Sequence, residues 1–241
     1  MRVLDLSFHE PAANLALDEV LLDSAERGRA GESLRFWECP VPFVVLGVSQ
    51  KVREEVCESA CQKDGVPILR RCSAGGCVLQ GPGSLNFSLV LSYERDPALR
   101  NIRESYSHIL NKIRKSLVSR GVQTSHEGIS DLAIGGRKVS GNAQKRRRQF
   151  VLHHGTALYR ADSLAMGRYL LEPNDRPEYR GVRPHTQFVT NLPLGPEDLR
   201  QAVREAFNAP DKTVDPLPDE WAETHVLAQN KYQDPSWTFR R

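Results

Sequence analysis

Two stretches concentrate the side chains able to do chemistry: RRCSAGGCVLQGPGSLNFSLVLSY at 70–93 and DLAIGGRKVSGNAQ at 131–144. In the first, Gly75, Gly76, Gly81 and Gly83 separate a strand at Pro67–Arg71 from a strand beginning at Leu85, where Leu, Phe, Leu and Leu alternate on one face. Glycine admits positive φ and lets a ligand lie against the main chain. Arg70 and Arg71 stand immediately before the turn, and guanidinium suits carboxylate and phosphate. There is no GxxxxGK[ST], and no helix follows the glycines at once, so this is not a phosphate loop of that kind. The segment reads either as a cradle for an elongated acid or acyl phosphate, or as a β-hairpin with bulges.

Lys138 is the first candidate in the second stretch. A strand lysine ordinarily reaches into solvent. This one is flanked by Gly135, Gly136 and Gly141, and Ser140, two positions on, is expected on its face of the strand. An ammonium held there would fix a carboxylate against a nucleotide phosphate and stabilise the charge that develops as a phosphate leaves.

RRCSAGGCVLQGPGSLNFS resembles the lipoate-binding loop of lipoate–protein ligases, RRxSGGGxVxHDxGNxNFS. GGRKVSGNAQ followed by HHGTALY resembles the lysine strand of that family and its partner. The likeness runs from PAANLALDEVLL to NKYQDPSWTF. It implies an α+β fold with a mixed, largely antiparallel sheet flanked by helices, as one catalytic domain over 1–241. It also implies lipoate as substrate, ATP and Mg²⁺ as cofactors, and a lysine of an acidic lipoyl carrier domain as acceptor. Lys138 takes the family's catalytic position. Arg71, Ser73, Gly75, Gly76, Val78, Asn86, Ser140 and His154 fall on positions that bind lipoate or lipoyl-AMP, and Asp131 on an acidic position able to hold Mg²⁺. PEYRGVRPH, with Arg176 just before it, occupies the place of an adenylate-binding loop, so Arg176, Arg180 and Arg183 are its candidate nucleotide contacts; composition alone allows an ordinary surface loop.

Three departures stand out. Ala74 replaces the first glycine of SGGG. Gln80-Gly81 stands where His-Asp is expected, and the resulting GPG resembles the HGPGQ of octanoyltransferases, which pass an acyl chain through a cysteine thioester without ATP. Both places those enzymes use for the cysteine are empty here, because no cysteine follows Cys77; only Cys72 or Cys77 could substitute. The chain closes on SWTFRR, where many ligases continue into an accessory domain, so a separate accessory chain is a possible partner. The GRGRxG-type loop of biotin ligases is absent.

The elements that must carry these groups follow from periodicity and punctuation. The expected strands are Val3–Leu6, Leu34–Glu38, Phe43–Val48, Leu132–Ile134, a strand from Arg137 and Phe150–Tyr159. The expected helices are Pro11–Ala25, Val52–Asp64, Asn101–Arg120 (with Ile102, Tyr106, Ile109, Leu110, Ile113 and Leu117 on one face), and about 162–171, 196–208 and 218–231. Strands in hairpins, rather than strict alternation with helices, argue for an antiparallel or mixed sheet. His153 and His154 point to opposite faces, so one alone should meet the site.

Composition sets the bounds. The 241 residues are 39% hydrophobic and 26% charged with a net charge of +3, ordinary for a globular chain and too small a charge to argue for nucleic acid. No apolar run is long enough to span a membrane, and no secretory signal is visible. Five cysteines without such a signal favour reduced thiols in the cytoplasm, and Cys57-x3-Cys61 lacks the second ligand pair a structural zinc needs. Lys145-Arg146-Arg147-Arg148 reads as a solvated hairpin tip, as a landing surface for an acidic carrier, or, were the chain a non-enzymatic binding module, as its nucleic-acid contact, for which the lack of interleaved aromatics makes it a poor patch.

Overall fold

A computed structural model describes residues 1–241. The chain opens with β1 (Arg2–Asp5) and α1 (Pro11–Glu26), then β2 (Ser33–Trp37) and β3 (Phe43–Leu46). Pro11 starts α1, where its missing N–H costs nothing. The helix is buried along most of its length, so its polar members Asn14, Asp18 and Glu19 must find partners inside the protein.

The single helix expected over 52–64 is two, α2 (Val52–Glu55) and α3 (Glu58–Asp64). Val56 between them is extended, with φ −126° and ψ 134°. Its backbone bridges to Leu170, and Cys57 N donates to Tyr169 O at 2.9 Å. Tertiary pairing has overridden local helix propensity at a β-branched residue.

Next come β4 (Ile68–Arg70), β5 (Val78–Gln80), β6 (Ser84–Ser92), α4 (Ile102–Val118), β7 (Ser125–Glu127), β8 (Asp131–Ile134), β9 (Arg137–Arg146) and β10 (Phe150–Leu158). The chain finishes with α5 (Ser163–Tyr169), α6 (His185–Phe188), α7 (Pro196–Ala206), α8 (Pro218–Leu227) and α9 (Pro235–Thr238). The short strands β5 and β7 are absent from the sequence reading; three residues are too few for a periodic signal. The helix expected to run on to 231 leaves α-geometry after Leu227 and makes a π-turn over Ala228–Tyr232, which buries Tyr232 completely.

Seven strands form one sheet in the order β1-β2-β6-β10-β9-β8-β7, antiparallel except for β1 with β2. A second sheet, β4-β3-β5, pairs β3 parallel to β4 and antiparallel to β5. This is the mixed, mainly antiparallel α+β arrangement that the hairpin-rich pattern implies. One face of the large sheet (Leu85, Phe87, Leu89, Leu91, Leu132, Val139) packs on α4 and α7 through Ile109, Leu110, Ile113, Leu199 and Val203. Each such side chain contributes about 1.5–3 kcal/mol on burial. Ile102, expected on that face, is exposed in the first turn of α4. The other face meets α1 and the small sheet, and the candidate site lies there. No helix is long and apolar enough to cross a membrane.

Candidate functional site

Strand register paints the site in two cross-strand rows. Trp37, Asn86, Thr156, Gly141 and Asp131 are direct partners across β2, β6, β10, β9 and β8. Arg35, Ser88, His154 and Ala143 form the adjacent row across β2, β6, β10 and β9. Four steps at the spacing between strands make the first row roughly 19 Å long. The cleft over these rows runs from an apolar end at Leu15, Trp37 and Val45 to a charged end at Asp131 and Lys138, and is roofed by Gly75, Gly76, Cys77 and Val78. Its shape suits an extended acid lying across the strands.

Lys138 reaches this face through a β-bulge. Ala133 pairs with Lys138 but Leu132 with Ser140, so Val139 is an extra residue in β9. The insertion reverses the alternation and turns Lys138 to the side of Gly141 and Ala143. Ser140, expected beside Lys138, is therefore on the opposite face, 2% exposed, among Leu85, Phe87, Leu132 and Ala157. Its hydroxyl accepts from Asn142 at 3.3 Å, and it takes no part in the cleft. Lys138 Nζ lies 2.8 Å from Asp131 Oδ1, and Tyr179 Oη donates to Asp131 Oδ2 at 2.8 Å. Both oxygens of Asp131 are thus engaged by protein groups, and no cluster of three or more His, Cys, Asp or Glu is placed to hold a metal. Each of these oxygens keeps a further lone pair, so Asp131 retains the capacity for the single contact that a largely water-bound Mg²⁺ takes from protein.

The glycine turn brings one arginine to the cleft, not two. Arg71 lines it, with Nε donating to Ser73 Oγ at 3.0 Å and Nη2 to Ala74 O at 2.6 Å, and has no carboxylate partner. Burial lowers its pKa, yet a guanidinium stays charged, so it is an uncompensated cation beside the cleft. Arg70, its neighbour on a strand, points the other way and ties down Gly47, Gln50 and Thr238 through their carbonyls at 2.6–2.9 Å. Ala74 costs the turn no strain, because of residues 74–76 only Gly75 has positive φ (93°). A Cβ on Gly47 would lie 2.0 Å from Gly75 O, so Gly47 is what lets the turn settle onto the end of β3.

Asn86 sits in a closed ring: Gln80 Nε2 donates to Thr156 Oγ1 (2.7 Å), Thr156 to Asn86 Oδ1 (2.8 Å), and Asn86 Nδ2 to Gln80 Oε1 (3.0 Å). Gln80, in place of the expected histidine, supplies both a donor and an acceptor to that ring. The GPG that follows is a packing turn. Gly83 N donates to Glu38 Oε1 at 2.7 Å, and a Cβ on Gly83 would lie 2.3 Å from the backbone of Arg160.

His154 faces the cleft and His153 the core, as alternation requires. His153 is fully buried between Asn142 Oδ1 and Gln144 Nε2, each at 3.2 Å, and burial drives its pKa down to about 3, so it is neutral. His154 Nε2 lies 2.6 Å from Ser73 Oγ, and Nδ1 3.4 Å from Asp18 Oδ2. Asp18 also receives Arg35 (2.7 Å) and Ser88 (2.7 Å). Burial alone would raise its pKa; the Arg35 guanidinium and the hydrogen bonds outweigh that and hold it below the usual carboxylate range. Ser73, His154 and Asp18 have the order of a nucleophile triad. However, Ser73 is 1% exposed and its oxygen accepts from Arg71, so the chain braces the turn and His154 rather than presenting a nucleophile. Asp18, Thr156, Tyr179 and Trp37 are the site members sequence reasoning missed. An acid inside the apolar run ANLALDEVLL was a usable signal for Asp18; Tyr179 left none.

The cysteines and the loop arginines also resolve. Cys77 lines the cleft and Cys72 is buried beneath it, and burial pushes both thiols up to about 12, so neither supplies a thiolate at neutral pH. Arg180 is buried, paired with Glu172 at 2.5 Å and set over the Phe188 ring. Arg176 donates to Pro173 O, and Arg183 to Gly136 O at 3.0 Å. None of the three lines the cleft; Arg176 and Arg180 are tied within their own segment, and Arg183 ties it to the turn between β8 and β9. In the basic run, Arg147 pairs with Asp23 at 2.8 Å and Arg146 lies over Tyr93, which leaves Lys145 and Arg148 without ion pairs at the end of β9 remote from Lys138.

The chain is 25% identical to lipoate-protein ligase LplJ of Bacillus subtilis (strain 168), over 98% of this chain and 72% of that protein. It is 27% identical to octanoyltransferase LipM of Geobacillus kaustophilus (strain HTA426), over 100% and 98%. Its fold matches the crystal structure of a lipoate-protein ligase A bound with ATP, with a TM-score of 0.84 at 23% identity over 99% of this chain and 98% of that one. Residues 10–208 match the family described as the lipoyl protein ligase A/B catalytic domain, and the chain belongs to that family.

Proposed function

We propose that the protein is an ATP-dependent lipoate–protein ligase acting as one catalytic domain. Lipoate lies across the sheet with its ring toward Leu15, Trp37 and Val45 and its carboxylate beside Lys138. The carboxylate oxygen attacks the α-phosphorus of ATP, the bond to the β-phosphate breaks, and pyrophosphate leaves. The amine of a carrier-domain lysine then attacks the acyl carbon of lipoyl-AMP, AMP departs, and the amine's proton goes to solvent. Lys138 holds the carboxylate against the phosphate, and Arg71, with no counter-ion of its own, meets the negative charge that crosses the cleft. The acceptor is a lipoyl carrier domain of acidic character. Mg²⁺ would reach the site on the ATP phosphates, with Asp131 beside Lys138 the carboxylate placed to hold it, and would neutralise phosphate charge.

The observation that carries this reading is a cleft with an inward-turned ammonium at one end and, in Cys77, only a thiol held far from ionisation. The ligase names among its relatives and the ATP-bound ligase of the same fold support it. The test is exchange of labelled pyrophosphate into ATP with lipoate and Mg²⁺; no exchange, even with added accessory chains, counts against it.

The near full-length likeness to an octanoyltransferase favours a second reading, acyl transfer without ATP. An octanoyl adduct on Cys72 or Cys77 in intact-protein mass spectra, lost on Cys→Ala, would establish that route instead.

A further inference from the structure

The segment between α5 and α6 brings a phenol to Asp131. Tyr179 Oη donates to the Asp131 oxygen that Lys138 does not use. Burial and the charge of Asp131 push the Tyr179 phenol well above its ordinary range, so it remains a donor throughout the neutral range. Its ring packs on Phe188 with centroids 5.1 Å apart. The same segment is fastened around Lys138. Arg183 donates to Gly136 O and to the Tyr179 carbonyl, and just beyond α6 Thr190 N donates to Lys138 O at 2.8 Å.

We propose that Tyr179 is a positioning residue of the reaction: it engages one oxygen of Asp131 so that only the other restrains Lys138. An ammonium has three protons to donate, so two are left for the substrate carboxylate and the phosphate. Without the phenol, Asp131 is free to turn both oxygens onto Lys138 and compete with the substrate. The arrangement also makes the alignment of Lys138 conditional on the seating of residues 172–184. This inference rests on the ligase reading above only in that Lys138 meets the substrate acyl group.

The test compares wild type, Tyr179→Phe, Asp131→Asn and the double variant in pyrophosphate exchange. Tyr179→Phe should lower kcat roughly tenfold, as expected for losing one hydrogen bond to a charged group, with KM for lipoate and the urea midpoint unchanged. In the Asp131→Asn background the same substitution should change kcat by less than about twofold, because the phenol acts only through that carboxylate. A wild-type kcat in Tyr179→Phe, an equal loss in both backgrounds, or a matching fall in the urea midpoint overturns the proposal. If the wild type shows no exchange even with added accessory chains, the ligase reading fails. The four proteins are then compared in octanoyl transfer between carrier domains, where a flat or additive cycle overturns the proposal and a coupled one supports it. A wild type inactive in both assays overturns both.

Discussion

Lys138 lies folded over Gly141: a methyl group at position 141 would sit 2.7 Å from Lys138 Cε and 2.8 Å from Nζ. Glycine at that place in β9 is what allows the ammonium to reach back across the strand to Asp131.

Gly141→Ala should therefore displace the ammonium without unfolding the chain. Gly141 does not have positive φ, so alanine is tolerated by the backbone, and the clash is with the movable end of a lysine. Adenylation should fall by roughly 10²-fold, the effect of an ångström-scale misplacement, while the unfolding free energy changes by under about 1 kcal/mol. Steady-state exchange beside equilibrium unfolding checks both halves.

Removing the charge is the harsher change. Lys138→Ala should cost about 3–4 kcal/mol of transition-state stabilisation, or two to three orders of magnitude in lipoyl-AMP formation, and should also impair transfer from chemically made lipoyl-AMP. Arginine should rescue poorly, since a planar fork does not replace a point charge. Near wild-type adenylation in Lys138→Ala would place the chemistry elsewhere.

Cys77→Ser should keep turnover within about threefold, because a thiol with its pKa pushed up to about 12 contributes wall and not nucleophile. A loss of two orders of magnitude would instead favour the thioester route.

His153 sets an acid dependence of stability. Its folded pKa, about 3, lies below the unfolded value of about 6.5, so the unfolded chain binds more protons between those limits. The contribution is complete above pH 6.5 and is lost as the pH falls toward 3, at up to about 1.4 kcal/mol per pH unit. Urea unfolding between pH 7 and 5 should show this slope in the wild type and a shallower one in His153→Asn.

Asp18 works with the same sign through a different cause. Burial opposes its charge, but Arg35 holds its pKa low, so the pair stabilises the fold above the unfolded carboxylate pKa and is lost as pH falls through the folded value. Asp18→Asn leaves a fully buried guanidinium short of its counter-ion, and should destabilise by about 3–5 kcal/mol at pH 7. The deficit should narrow below about pH 4. A neutral effect at pH 7 would mean that the Asn14 and Leu6 contacts to Arg35 suffice.

Much was legible in the sequence alone. Residue types and spacing identified the glycine turn and the lysine strand, alternation separated His153 from His154, and the 3.6-residue repeat placed α4 apart from its first turn. Those signals are local, and local sterics and periodicity are all they need. The tertiary structure decided the rest. A one-residue bulge reversed the face of Lys138 relative to Ser140, and alternation at the end of β4 sent Arg70 to the C-terminal segment and Arg71, the next residue, to the cleft. Register across five strands, rather than nearness in the chain, set Trp37, Asn86, Thr156, Gly141 and Asp131 in one row. Packing of 172–184 tied Arg176, Arg180 and Arg183 to protein partners off the cleft lining and carried the phenol of Tyr179 to Asp131. Register and bulges are settled by which face each strand must bury against α4 and α7, a sum over contacts far apart in the chain that no single stretch contains.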